Sequence, residues 1–120
     1  MSTTLLPMIQ PDAASCCTPL TSEAMDAERA EGLAKKLKAL ADPTRLRLVS
    51  IVASSEGAEA CVCDLIEPVG LSQPTVSHHL KILMDAGFLS RSKRGTWAYY
   101  KLLPGALGEL SRLLDVTASR

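Results

Sequence analysis

Residues 71–88 read LSQPTVSHHLKILMDAGF, and this stretch decides the fold. Ser72 carries a side-chain acceptor suited to the start of a helix. Pro74 falls in the first turn, where a missing backbone N–H is tolerated. Val76, Leu80 and Leu83 follow at spacings of four and three, the apolar stripe of one helix face. Gly87 supplies a C-terminal stop. The spacing predicts a helix from Ser72 to Ala86. Gln73, Thr75, Ser77, His78 and Lys81 lie largely off the stripe. The helix therefore packs one face and presents a polar, hydrogen-bonding face outward.

The flanking segments fit around it. Downstream, Phe88–Lys93 and Thr96–Leu102 read as two strands around Arg94-Gly95, a hairpin signal supported by Trp97, Tyr99 and Tyr100. Pro104 opens a last helix with Leu107, Leu110 and Leu114 on one face. Upstream, a short helix after Val62 carries Leu65, Ile66 and Val69 and ends at Gly70. Asp42-Pro43 reads as a cap followed by proline at the first helical position. The helix it starts runs to about Ala53 with Leu46, Val49 and Ile51 or Val52 buried, and residues 54–60 follow as a polar loop. Before it, Met25–Ala41 carries the stripe Ala30, Leu33, Leu37, Leu40, with acidic residues early and lysines late, as the helix dipole prefers. Residues 1–22 hold three prolines and no helical period, and read as a tail that is loose unless tied down. The expected organisation is this tail followed by one domain over residues 23–120. Its fold class is mainly α with a two-stranded β-wing, a winged helix-turn-helix.

Composition bounds the function. The chain has 120 residues, 47% hydrophobic and 22% charged, which is ordinary for about one globular domain. Aromatics are only 3%, so the core must be aliphatic. No apolar run reaches the ~20 residues of a membrane helix, and the N-terminus lacks the pattern of a secretory signal. A cytoplasmic protein with no membrane partner is expected. Net charge is zero, which argues against general polyanion binding, yet it is unevenly spread. Residues 1–68 carry 6 basic and 10 acidic residues, whereas residues 69–120 carry 7 basic and 3 acidic. The C-terminal half thus suits a face that meets an anion.

That face matches B-DNA. The major groove admits one α-helix with polar side chains turned to the base edges. Gln73 offers donor and acceptor to an adenine; Ser72, Thr75, Ser77 and His78 reach bases or phosphates; Lys81 reaches a phosphate. Arg91, Lys93 and Arg94 near the hairpin tip suit phosphate or minor-groove contact. A solvated basic hairpin on a small helical domain is the plainer alternative. His78 and His79 are helix neighbours pointing about 100° apart, so they do not share a metal. They are the only histidines, and no catalytic triad, phosphate-binding glycine loop or carboxylate pair stands out; an enzyme is not expected.

Four cysteines remain: Cys16, Cys17, Cys61 and Cys63. Adjacent and i+2 cysteines close very small rings, so each cluster is expected as free thiols rather than as a disulfide. Clustered cytosolic thiols point to soft metal ligation or redox sensing. A buried structural role for Cys61 or Cys63 is the plainer alternative.

Three segments in order, KALADPTRLR at 38–47, CVCDL at 61–65 and LSQPTVSHHL at 71–80, resemble the ArsR/SmtB family of metal-sensing repressors. The resemblance covers about residues 25–115. It implies winged-helix binding of double-stranded operator DNA, with no cofactor needed for that binding. It also implies a homodimer formed by the first and last helices, and release when a metal or metalloid binds. The family's arsenite pattern is Cys-x-Cys-x-x-Cys, but the third position here is Ile66. Arsenite takes three thiolates, and some relatives use an N-terminal vicinal pair with a third cysteine from the dimer partner. The resemblance therefore implies Cys16 and Cys17 with Cys61 or Cys63 as ligands of As(III) or Sb(III), the inducer. Cd(II) or Pb(II) on the four thiols, or thiol oxidation, are the alternatives.

Overall fold

The protein, as a computed structural model, is described over residues 19–115. Among the described residues eight regular elements form in chain order, besides a short 3-10 turn at Glu56–Ala58. They are α1 (Ala27–Leu40), α2 (Pro43–Ser54), β1 (Glu59–Cys61), α3 (Val62–Val69), α4 (Gln73–Asp85), β2 (Leu89–Arg94), β3 (Trp97–Leu102) and α5 (Ala106–Leu114). Contacts divide the chain into one unit over Gly32–Ala106 and another formed by the residues before and after it.

The helix boundaries follow the caps. Asp42 is extended and its carboxylate accepts from Arg45 N at 3.1 Å, with Pro43 in the first turn of α2. Ser72 accepts from Thr75 N at 3.4 Å to start α4. Gly70 ends α3 at φ 69°, a left-handed conformation that glycine adopts without Cβ strain. Three cations answer the carbonyls left open at helix C-termini. Arg45 donates to Ala39 O (2.6 Å) and Lys38 O (3.2 Å) at the end of α1. Arg47 donates to Pro68 O in the last turn of α3 (2.8 Å), and Lys36 to Ala86 O after α4 (3.3 Å). Half of the basic residues before residue 69 are thus committed to backbone.

Leu48, Val52, Leu65, Val76, Leu80, Leu83 and Phe88 are the largest fully buried side chains. They come from α2, α3, α4 and the segment entering β2. The stripe predicted for α4 is buried as expected. That for α2 is corrected: Leu48, Val49 and Val52 are buried, whereas Leu46 is 52% exposed. Leu48 lies two residues, about half a helix turn, from Leu46, so both cannot face one core. In α1 the buried residue is Ala39; Leu37 of the predicted stripe is exposed.

The sheet is antiparallel in the order β1-β3-β2. Strand β1 lies where a polar loop was expected, pairing Glu59 with Lys101, Ala60 with Tyr100 and Cys61 with Tyr99. Three residues are too few to show alternation, and the partner strand is distant in sequence. The wing turn is Gly95-Thr96, one residue later than expected, because Arg94 pairs with Trp97 inside the ladder. Gly95 has φ 66°, as the first position of a tight hairpin turn requires.

In the other unit, Leu20 N donates to Leu113 O at 2.7 Å, tying down residues that were expected to be loose. Asp26 Oδ1 accepts from Arg29 N at 2.8 Å near the start of α1. The buried leucines of α5 are Leu110 and Leu113, while Leu107 and Leu114 of the expected stripe are exposed. The inward face is rotated by about one position from the predicted one.

Candidate nucleic-acid interface and the thiol pair beside it

The candidate surface is built outward from the α4 stripe. With Val76, Leu80 and Leu83 at 0% exposure, the opposite face is fixed in the solvent. Ser72, Gln73, Thr75, His78 and Lys81 are exposed, and Ser77 is half-buried. Ser72 Oγ and Thr75 Oγ1 are 3.0 Å apart, so these hydroxyls are shared between capping and any ligand. Lys81 pairs with Asp85 at 3.1 Å, one helix turn on, with both side chains well exposed. Such a pair is weak and exchanges readily for a phosphate.

His79 separates from His78. It is half-buried, and its Nδ1 lies 3.1 Å from Arg45 Nη1. Arginine only donates, so in this pair Nδ1 is the acceptor. Arg45 therefore joins the end of α1 to the recognition helix. Its role was not expected from the sequence, where only its place in a motif marked it. Arg45 also bears on Asp42, whose carboxyl is lowered below its ordinary value of 3.8. The main cause is the bond from Arg45 N, and the charge of Arg45 adds to it against partial desolvation.

In the wing, every residue from Ser90 to Trp97 is exposed. Arg91 and Lys93 are among them and stand on one face of the hairpin. Arg94 is engaged: its Nη2 donates to Glu59 Oε2 at 2.6 Å, and its guanidinium lies 4.4 Å from the centre of the Tyr99 ring.

Cys61 is the last residue of β1 and is 4% exposed, while Cys63 is exposed in the first turn of α3. Cys61 Sγ accepts from Cys63 N at 3.3 Å, occupying the helix cap. The two sulfurs are joined as a disulfide. This corrects the expectation of free thiols for the pair. The extended Cys61 backbone followed at once by a helical turn leaves the Cα atoms 5.2 Å apart, within the span of a disulfide. Cys16 and Cys17 lie outside the described residues. Among the described residues no three His, Cys, Asp or Glu side chains form a metal-holding group. No described helix is long and apolar enough to cross a membrane.

Comparison with known proteins bears on this arrangement. Residues 42–91 match the model of the bacterial regulatory proteins of the arsR family. An uncharacterised helix-turn-helix-type transcriptional regulator of Methanocaldococcus jannaschii is 40% identical over 88 residues, 73% of this chain and 97% of that one. The chain belongs to the arsR family. The arsenical resistance operon repressor of Bacillus subtilis is 42% identical to this ArsR-family chain over 81 residues, 65% of this chain and 75% of the repressor. The solution structure of a homodimeric winged helix-turn-helix DNA-binding domain from Mycobacterium bovis superposes with a TM-score of 0.63 at 26% identity. That match covers 80% of this chain and 86% of the other. The family is one of transcriptional regulators, and the winged helix-turn-helix is its DNA-binding domain. The matched segment contains α2, α3, α4 and the start of the wing, which hold most of the residues described above.

Proposed function

We propose that this chain is a homodimeric repressor that leaves its operator when trivalent arsenic or antimony is held by cysteine thiolates. Ser72, Gln73, Thr75, Ser77, His78 and Lys81 would meet bases and phosphates, and Arg91, Lys93 and Arg94 would place the wing on the backbone. One observation carries the sensing half. Cys61 and Cys63 meet at the junction of β1 and α3, and those elements pack against α2, α4 and β3. A change at the pair is thus one element away from the recognition helix and from the wing.

The donor set suits the ligand in part. Reduced, Cys61 and Cys63 supply two soft donors on one turn, and trivalent arsenic bound there calls for three thiolates. Cys16 or Cys17 would complete the set, from the same subunit or the partner. Recruiting them draws the N-terminal segment onto the start of α3. The two recognition helices of a dimer then no longer match major grooves about 34 Å apart. A coupling of about 3 kcal/mol suffices for a roughly 150-fold loss of affinity. The similarity to an arsenical resistance repressor supports this ligand.

The test is fluorescence anisotropy of the reduced protein on a labelled duplex from its own upstream region, titrated with arsenite. Salt-sensitive binding that arsenite reverses is expected, and replacing Cys16 and Cys17 by Ser should abolish the reversal. Binding that ignores arsenite would end the inducer assignment. A second reading, redox sensing, rests on the Cys61–Cys63 disulfide. It predicts that an oxidant shifts operator affinity in the absence of any metalloid.

A further inference from the structure

We infer that Glu59 is a positioning residue of the DNA interface: from β1 it holds Arg94 against Tyr99 in the orientation in which the wing meets the duplex. Three observations meet here. Arg94 Nη2 is 2.6 Å from Glu59 Oε2, and the Arg94 guanidinium stands 4.4 Å from the Tyr99 ring centre. Tyr99 is itself the ladder partner of Cys61, so Glu59, Cys61, Tyr99 and Arg94 share one face of the sheet. The exposures then differ in a telling way: the Glu59 side chain is 23% exposed and that of Arg94 is 56%.

A carboxylate beside a phosphate-binding surface would ordinarily repel DNA. Here it is the sheltered partner, and the cation faces outward. Guanidinium has five donors in a rigid plane, and only one nitrogen is committed to Glu59. The stack on Tyr99 fixes the plane, the carboxylate fixes its rotation, and the remaining donors stay available for a phosphate oxygen. Glu59 therefore orients Arg94 rather than competing for it. The same three-residue strand carries Cys61, so a displacement of β1 at the thiol moves the group that holds the wing. That last consequence rests on the proposed sensing role; the orientation of Arg94 does not.

The experiment is a double-mutant cycle on operator affinity with Glu59→Gln, Arg94→Ala and the pair, using reduced protein at several salt concentrations. Glu59→Gln removes a negative charge, so a purely electrostatic role predicts tighter binding. Positioning predicts the reverse: each single change weakens binding about two- to fivefold, and the double variant is no weaker than Arg94→Ala. Tighter binding by Glu59→Gln, or losses that add, would overturn the inference. Circular dichroism checks that the variants fold, and Glu59→Asp, which keeps the charge on a shorter arm, supplies a second variant. For the sensing clause, arsenite should release the Glu59→Gln protein by a smaller factor than the wild type. An equal factor would cut the link to the thiol. Should arsenite leave the wild type bound, the sensing reading fails, while the double-mutant cycle still decides the role of Glu59.

Discussion

Helix α4 and the wing carry the two halves of the proposed interface on different foundations. Helix α4 is rooted by Val76, Leu80 and Leu83, all at 0% exposure, and is pinned from outside by Arg45 on His79 and Lys36 on Ala86 O. The wing beyond Leu89 buries nothing until Tyr100. It is held by its ladder and by the Glu59–Arg94–Tyr99 contact. The helix is placed by apolar burial, which salt barely affects, and the wing by exposed electrostatics, which salt weakens. An interface built this way keeps a fixed reader and an adjustable arm.

Breaking the helix side should have the largest effect. Leu80→Ala leaves a cavity in the centre of the core and should cost about 2–5 kcal/mol of stability, measured by urea unfolding. Its loss of DNA binding should follow the loss of folded protein. Arg45→Ala comes next. It strips partners from Lys38 O, Ala39 O and His79 Nδ1, and should cost about 1–3 kcal/mol. Lys should not rescue it, because one ammonium cannot span the three acceptors. Operator affinity should fall in folded Arg45→Ala protein at all salt concentrations alike. A loss seen only at low salt would mean that Arg45 acts as a charge and not as a brace.

On the wing side the effect is smaller and has the opposite salt signature. Arg91 is exposed and has no buried support. Arg91→Ala should leave unfolding unchanged and reduce the slope of log affinity against log salt by about 0.9. It should weaken binding similarly across operator sequences, as a phosphate contact does. A loss confined to one base pair would place Arg91 in a groove as a reader.

The helix side was also the part legible in the sequence. Ser72, Pro74, the stripe and Gly87 are local signals, and each side chain acts where its neighbours in the chain predict. The wing was legible as a hairpin but not as a supported one. Its support, β1, is three residues long and pairs about forty residues away, so no local period announces it. Glu59 read as part of a polar loop for the same reason. The Arg45–His79 bond is equally non-local, and nothing in the spacing of Arg45 distinguishes a brace from a surface cation. For the thiols, ring size alone speaks against closure, whereas the backbone conformation permits it. The strand-to-helix bend at Cys61 supplies the closure that a continuous helix or strand would not.

The smallest effect tests the cap that starts α2, next to the brace. The bond from Arg45 N, aided by the charge of Arg45, lowers the Asp42 carboxyl below its ordinary 3.8. A carboxylate whose folded value lies below its unfolded value stabilises the fold above the unfolded value. That contribution disappears as pH falls through the folded value. Stability should therefore be flat near neutrality and lose the Asp42 share only in the acid range, from about pH 5 downward. Asn caps a helix about as well as Asp but does not titrate. Asp42→Asn should be nearly as stable as the wild type near neutrality, and the gap between them should close on acidification. A gap that stays constant with pH would mean that the Asp42 carboxyl is not lowered on folding, so that neither the bond from Arg45 N nor the Arg45 charge favours its ionised form. In that case Arg45 would owe its place to the carbonyls and His79, and the brace would hold the recognition helix without help from electrostatics.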